Sequence, residues 1–333
     1  MFKIVVLALT AAFTTGCTDQ VIDSRFPDFK EFIEITTSSF DDDAKLEASL
    51  ELHSRLLLNS AELDMLFDSS EVENLLVVYL QAHFDDPRRV ASLEKAIIND
   101  SDNRLVAMQQ AAHCSYSEAY TSYKYCGSEA FEALIELDPE NMVSYYIAAG
   151  YWGEKNNLEL ALSLLRKGNS KTRYDIYEAE FFRILTERAQ AFGFPRYAAD
   201  TNALGSFSTT MHTKLLFELC QGPISTTQQE IYRECLVMGE KIEESAKTLL
   251  GKGLGIGIQI RTLQAMGNSD TQVELIERRR DSLASVSDML EGIPNDDYTE
   301  HMWDRFYEEL FEVGEVAALR NLANRARGNS GDL

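Results

Sequence analysis

Apolar residues recur along this chain at intervals of three and four. Val72, Leu75, Leu76, Tyr79 and Leu80 share one helical face, and Trp303, Phe306, Leu310, Val313 and Ala317 repeat that spacing near the end. No stretch alternates apolar and polar residues over a strand's length beside hairpin turn pairs. Pro27, Pro87, Pro139, Pro195, Pro223 and Pro294 fall near the ends of periodic segments, where helices are punctuated. The pattern predicts an all-α chain. Its helices run over about 29–39, 42–58, 61–67, 71–84, 88–98, 104–113 and 128–137, then 140–153, 158–167, 175–192 and 208–220. Ser225 starts another through Cys235, and two final helices cover about 271–290 and 297–327. Ser70, Ser128 and Asp138 (ahead of Pro139) are the expected caps of their first turns.

The stretch from Asp138 to Lys167 is the most informative. One helix carries Tyr145, Ala148, Ala149 and Trp152, a polar turn Lys155-Asn156-Asn157 follows, and the next helix carries Ala161 and Leu165. Small residues at the crossing make this an antiparallel helical hairpin. It resembles a tetratricopeptide repeat, in whose 34-residue pattern those six residues take the large and small packing positions. Leu137-Asp138-Pro139 matches the end of a preceding unit, whereas Gly168 and Arg173 stand where the pattern has Ala and Pro. The resemblance covers residues 127–175. It implies antiparallel hairpins stacked as a TPR-like α-solenoid or compact helical array, with divergent neighbours that bury the exposed faces.

The N-terminus reads differently. Lys3, an apolar run from Ile4 to Phe13 and Thr14-Thr15-Gly16-Cys17 make a secretory signal too short to cross a hydrocarbon core. Its last four residues resemble the lipobox of bacterial lipoproteins, with Thr14 where Leu is usual, so Cys17 is the expected lipidation site. An ordinary cleaved signal with an incidental Cys17 is the alternative. Thr18 after the modified cysteine implies, by that resemblance, an outer-membrane anchor facing the periplasm. The expected organisation is signal peptide 1–16, tether 17–28, and helical regions 29–102, 103–205 (the repeat-like one) and 206–333.

Four cysteines remain, an even number that suits an oxidising compartment. Their spacing favours Cys114–Cys126 and Cys220–Cys235, each bridge contributing about 3 kcal/mol by closing a loop. The rival reading, a metal site with His113, lacks both C-x-x-C spacing and a tetrahedral ligand set.

A formal charge of −23 argues against nucleic acid and against anionic lipid as partners. The one compact basic cluster, Arg278-Arg279-Arg280, is hemmed by Glu274, Glu277 and Asp281 and reads as a solvated helix face. The glycine run 251–257 fits neither a dinucleotide fingerprint nor a phosphate loop; Gly253 and Gly257, one turn apart, are expected to admit a neighbouring helix. His53, His83, His113, His212 and His301 form no ligand pair, and no nucleophile elbow or calcium loop occurs; Asp41-Asp42-Asp43 reads as helix N-terminal charge. No catalytic residue, metal ligand or cofactor is assigned. Tyr116, Tyr120, Tyr123, Tyr125, Tyr146 and Tyr151 gather near the first cysteine pair, as core or as binding-surface anchors.

The expectation is a membrane-tethered, non-catalytic scaffold with a protein or peptide partner in the bacterial envelope. A periplasmic enzyme or small-molecule binder with an unfamiliar site is the alternative. Cys17→Ser should move the protein from the membrane to the soluble fraction of fractionated cells; retention in the membrane would refute lipidation at Cys17.

Overall fold

The computed structural model describes residues 28–30, 32–33, 55–115, 124–208, 214–223, 225–290 and 293–329. Cys17, the signal and tether up to residue 27, Asp41-Asp42-Asp43, Tyr116, Tyr120 and Tyr123 lie outside them, as does most of the expected helical stretch 29–54. Among the described residues there are fifteen α-helices, packed as sequential antiparallel pairs, and no strand. They are α1 Ser60–Phe67, α2 Val72–Gln81, α3 Pro87–Asn99, α4 Arg104–Cys114, α5 Ser128–Leu137, α6 Met142–Glu154, α7 Leu158–Asn169 and α8 Glu178–Ala191. The remainder are α9 Arg196–Ser208, α10 Lys214–Leu219, α11 Thr226–Ser245, α12 Leu249–Ala265, α13 Asp270–Ser285, α14 Glu300–Val313 and α15 Glu315–Asn329.

The chain divides into two compact units. Unit 1 comprises residues 1–92, 178–209 and 284–333; unit 2 comprises 93–177 and 210–283. In unit 1, α1 pairs with α2, α8 with α9 and α14 with α15. A reciprocal box starts α1, in which Asn59 accepts from the Glu62 amide and Glu62 from the Asn59 amide. The start of α2 differs from expectation, because Ser69 rather than Ser70 takes the Glu71 amide. Leu75 through Leu80 of α2 are all buried, wider than a single amphipathic stripe. Two buried amides pin the segment before α1: Gln81 accepts from the Leu58 amide and donates to Asn202, whose own amide donates to the Leu56 carbonyl.

Two departures from the sequence pattern occur here. Helix α9 was not anticipated as a separate element; its inward face mixes Ala198, Ala199 and Ala203 with the buried polar Asp200 and Asn202, which blurs the apolar period. The expected helix 297–327 is two helices, broken at Gly314, whose φ is +86°. Val313 is exposed as a result, and the buried stripe restarts at Ala318, Leu319, Leu322, Ala323 and Ala326.

In unit 2, α4 pairs with α5, α6 with α7 and α11 with α12, while α7 also packs on α11 and α6 on α10. Helix α6 has neighbours on several sides and is buried nearly all round, from Met142 through Tyr151. Cys114–Cys126 ties the end of α4 to the approach to α5, with Cα atoms 5.2 Å apart, and Cys220–Cys235 ties the end of α10 to α11 at 5.9 Å. The α11–α12 pair meets with backbones in contact. A Cβ on Gly255 would lie 2.5 Å from both the Gly239 carbonyl oxygen and the Glu243 amide nitrogen. The expectation for the glycine run is thereby corrected in register: nothing lies within 4 Å of a Cβ on Gly253, and Gly257 only accommodates the Phe217 ring at 3.6 Å. Beyond the seam, Ile256, Ile260, Leu263 and Ile276 form a cluster that Leu236, Val273 and Leu283 flank.

Gly255→Ala should therefore cost about 2 kcal/mol or more through overpacking against backbone that cannot move aside. Gly253→Ala should stabilise by about 0.5–1 kcal/mol, since it gains helix propensity in open space. Urea titrations of the two variants check both signs.

Candidate interaction surface

The hairpin α6–α7 is built around one close approach. The Tyr146 ring covers Gly168, where a Cβ would sit 2.6 Å from the ring edge, and the Tyr146 hydroxyl donates to Asn169 Oδ1 at 2.8 Å. Burial drives the Tyr146 pKa upward, so the phenol stays protonated as that donor. Of the residues expected to pack the hairpin, Tyr145, Ala148, Ala149, Ala161 and Leu165 are buried, while Trp152 is half-buried. Tyr151 takes the inward place beside it, stacked on Phe131 with centroids 4.2 Å apart. Asn156 turns the chain with φ +57°, and Asn157 caps α7 by accepting from the Leu160 amide.

A polar clasp closes the hairpin at its base. Asp138 does not cap α6; Asn141 does, accepting from the Val143 amide at 3.2 Å. Asp138 is instead a buried acceptor for the Arg173 guanidinium and the Tyr177 hydroxyl. The fully buried Asn141 also exchanges two hydrogen bonds with the Asp175 backbone, at 2.6 and 3.1 Å, and the Met142 amide donates to the Arg173 carbonyl at 2.8 Å. The Asn141–Asp175 and Asp138–Arg173 pairs lie 34 and 35 residues apart and the Asp138–Tyr177 pair 39, so the clasp joins the two ends of the hairpin. Tyr177 holds a φ of +58°, a conformation bulky residues rarely adopt. Burial first, and then the Asp138 charge, raise its pKa and keep the donor proton in place. The Arg104 guanidinium lies over its ring at 5.1 Å.

The outward face of α7 lines an open groove of about 400 Å³ formed by Glu159, Leu162, Ser163, Arg166, Lys167 and Ser170. Their spacing of three and one alternately is a single stripe along the helix. Helix α11 borders it. Glu159 accepts from Thr227 at 3.0 Å, Arg166 pairs with Glu230 and Glu234, and Asn169 binds the Glu234 carboxylate at 2.8 Å. Ser163 and Lys167 project from the stripe with no side-chain hydrogen bond or ion pair among the described residues. Sequence reasoning passed this stripe over, because its residues are ordinary exposed helix positions until α11 is set beside them.

Cys114, Cys126, Cys220 and Cys235 are joined as two bridges, which point to an oxidising, extracytoplasmic compartment. Among the described residues no group of three or more potential ligands converges on one point, and no helix is long and apolar enough to cross a membrane. Comparison with protein-family models, curated proteins and solved structures finds no match to this chain.

Asn141→Ala would leave the buried Val143 amide and both backbone groups of the half-buried Asp175 without their partner and should cost about 3 kcal/mol in urea unfolding. Glu140→Ala removes only the exposed partner of Lys171 and should cost less than about 0.5 kcal/mol.

Proposed function

We propose that this chain is a lipid-tethered scaffold of the bacterial envelope that holds an extended or helical segment of a partner protein, and that it catalyses no reaction. The observation that carries the reading is the groove on α7, a polar stripe set between stacked helix pairs. Enclosed, mostly apolar cavities suit small molecules, because they bury most of the ligand's surface. An open stripe with helical spacing suits a peptide or helix, which meets it at successive turns. The clasp supports the same reading from the other side. Asp138, Asn141, Arg173 and Tyr177 fix the hairpin at its base, so the stripe is pre-organised and little ordering cost falls on binding.

We further read α6–α7 as a divergent tetratricopeptide-like unit. Its packing residues, its repeat-length clasp and its stacking on α11 support that assignment. Tethering through Cys17 and placement at the outer membrane, facing the periplasm, complete the proposal; the disulfides agree with that side of the membrane.

A photo-crosslinking residue at Ser163 or Lys167 tests the surface directly in native envelopes. One protein should be captured reproducibly at both positions and not from the exposed Leu275 on α13. Equal capture at all three positions, or none at Ser163 and Lys167, would refute the proposed surface.

A further inference from the structure

Unit 1 holds a cluster of ionisable groups that packing alone does not require. Asp200 on α9 is fully buried, accepting from Thr186 Oγ1 of α8 at 3.0 Å and from Arg196 Nε of its own helix at 2.7 Å. Asp304 on α14 shares the field of Arg196, and its Oδ1 is buried without a hydrogen-bond partner. The Tyr307 hydroxyl, buried on the same helix, meets Thr201 of α9 at 3.0 Å.

We infer that the fully buried Asp200 and the half-buried Asp304, on facing helices beside Arg196, form a proton-operated lock that tightens unit 1 in mild acid and loosens it toward neutrality. With both carboxylates charged, Asp200 keeps its charge out of water with the half-exposed Arg196 as its one ionic partner, and the buried Oδ1 of Asp304 has no donor. One proton leaves a neutral acid beside a complete ion pair.

The surroundings add negative rather than positive charge. From α14, Glu308 raises the Asp304 pKa while His301 opposes it, and from α15 the buried Glu315 acts on Tyr307. The charged residues of α8 are engaged elsewhere, Arg183 with Glu73 and Glu187, and Arg188 with Glu71 and Glu73. Helix α2 offers α9 the uncharged Gln81, through Asn202, and Phe29 and Phe32 cover Tyr197. Most of the chain's acidic excess also lies on residues of unit 1.

The protonation energetics agree. Burial first, with help from Asp304, pushes Asp200 up from 3.8 to about 6, and burial likewise raises Asp304. A carboxyl raised on folding binds its proton more tightly in the native state. Its stabilising effect is complete below the unfolded value and is lost as pH rises through the folded one. For Asp200 that window is about pH 4 to 6. Asp86 and Glu309, both lowered, act in the opposite sense at more acid pH, so the comparison belongs above pH 5.

The chain has two tryptophans, and Trp303 adjoins Asp304, so in full-length Trp152→Phe protein the fluorescence reports on unit 1 alone. Urea titrations should show the folding equilibrium constant falling about tenfold between pH 5 and pH 7. Asp200→Asn should remove most of that fall, and Asp304→Asn should reduce it. A constant that is flat or rises over this range, or an unchanged fall in Asp200→Asn, would overturn the lock. Should either variant fail to fold, the ¹³C carboxyl resonance of Asp200 in the unaltered chain decides: a midpoint near 6 is expected, and one near 4 refutes it.

Discussion

Close backbone approach at residues without a side chain is the constraint from which the packing of unit 2 follows. At Gly239 and Gly255 two helices meet with no Cβ between them; at Gly168 the Tyr146 ring rests on α7; at Gly150 and Gly153, Leu215 and Leu219 of α10 settle onto α6. Each approach multiplies weak dispersion contacts along the seam, and at Gly239 and Gly255 the backbone opposite leaves no room for an added carbon. Glycine in a helix interior costs about 1 kcal/mol against alanine, so these seams persist only because the neighbours return more than that in contact.

Where the local pattern carries the physics, the sequence was readable. The helices α2, α4, α5 and α7 announce themselves by period, and the cysteine spacing points to the two bridges that form. What escaped was set by distant partners. Asp138 ahead of a proline has the chemistry of a cap, and nothing nearby reveals that Arg173 and Tyr177 will claim it. Helix α9 hid because Asp200 and Asn202 occupy inward positions that the apolar period needs. Gly314 was overlooked because apolar residues continue in phase on both sides of it. Likewise, alternate glycines in the run 251–257 look equivalent until Gly239 of α11 selects one of them.

The same division applies to the candidate surface. Ser163, Arg166 and Lys167 are unremarkable on α7 alone, and become a groove only when Glu230 and Glu234 stand opposite. Rigid seams and the clasp below hold that groove in shape, as the proposed recognition of a chain segment requires. Unit 1 also carries buried polar contacts. Its interior buries Asp200 against Thr186 and Arg196 and the Thr201 hydroxyl against that of Tyr307, and the proton response proposed for it would come from that cluster, whereas the polar clasp of unit 2 fixes a hairpin.

Residue-resolved native-state hydrogen exchange across α11 and α12, followed through rising denaturant, addresses the glycine seam most directly. Amides around Gly239 and Gly255 should belong to the slowest-exchanging class, and the two helices should lose protection together as one cooperative element. Separate loss of protection by α11 and α12, or fast exchange at the crossing, would contradict a core organised by backbone contact.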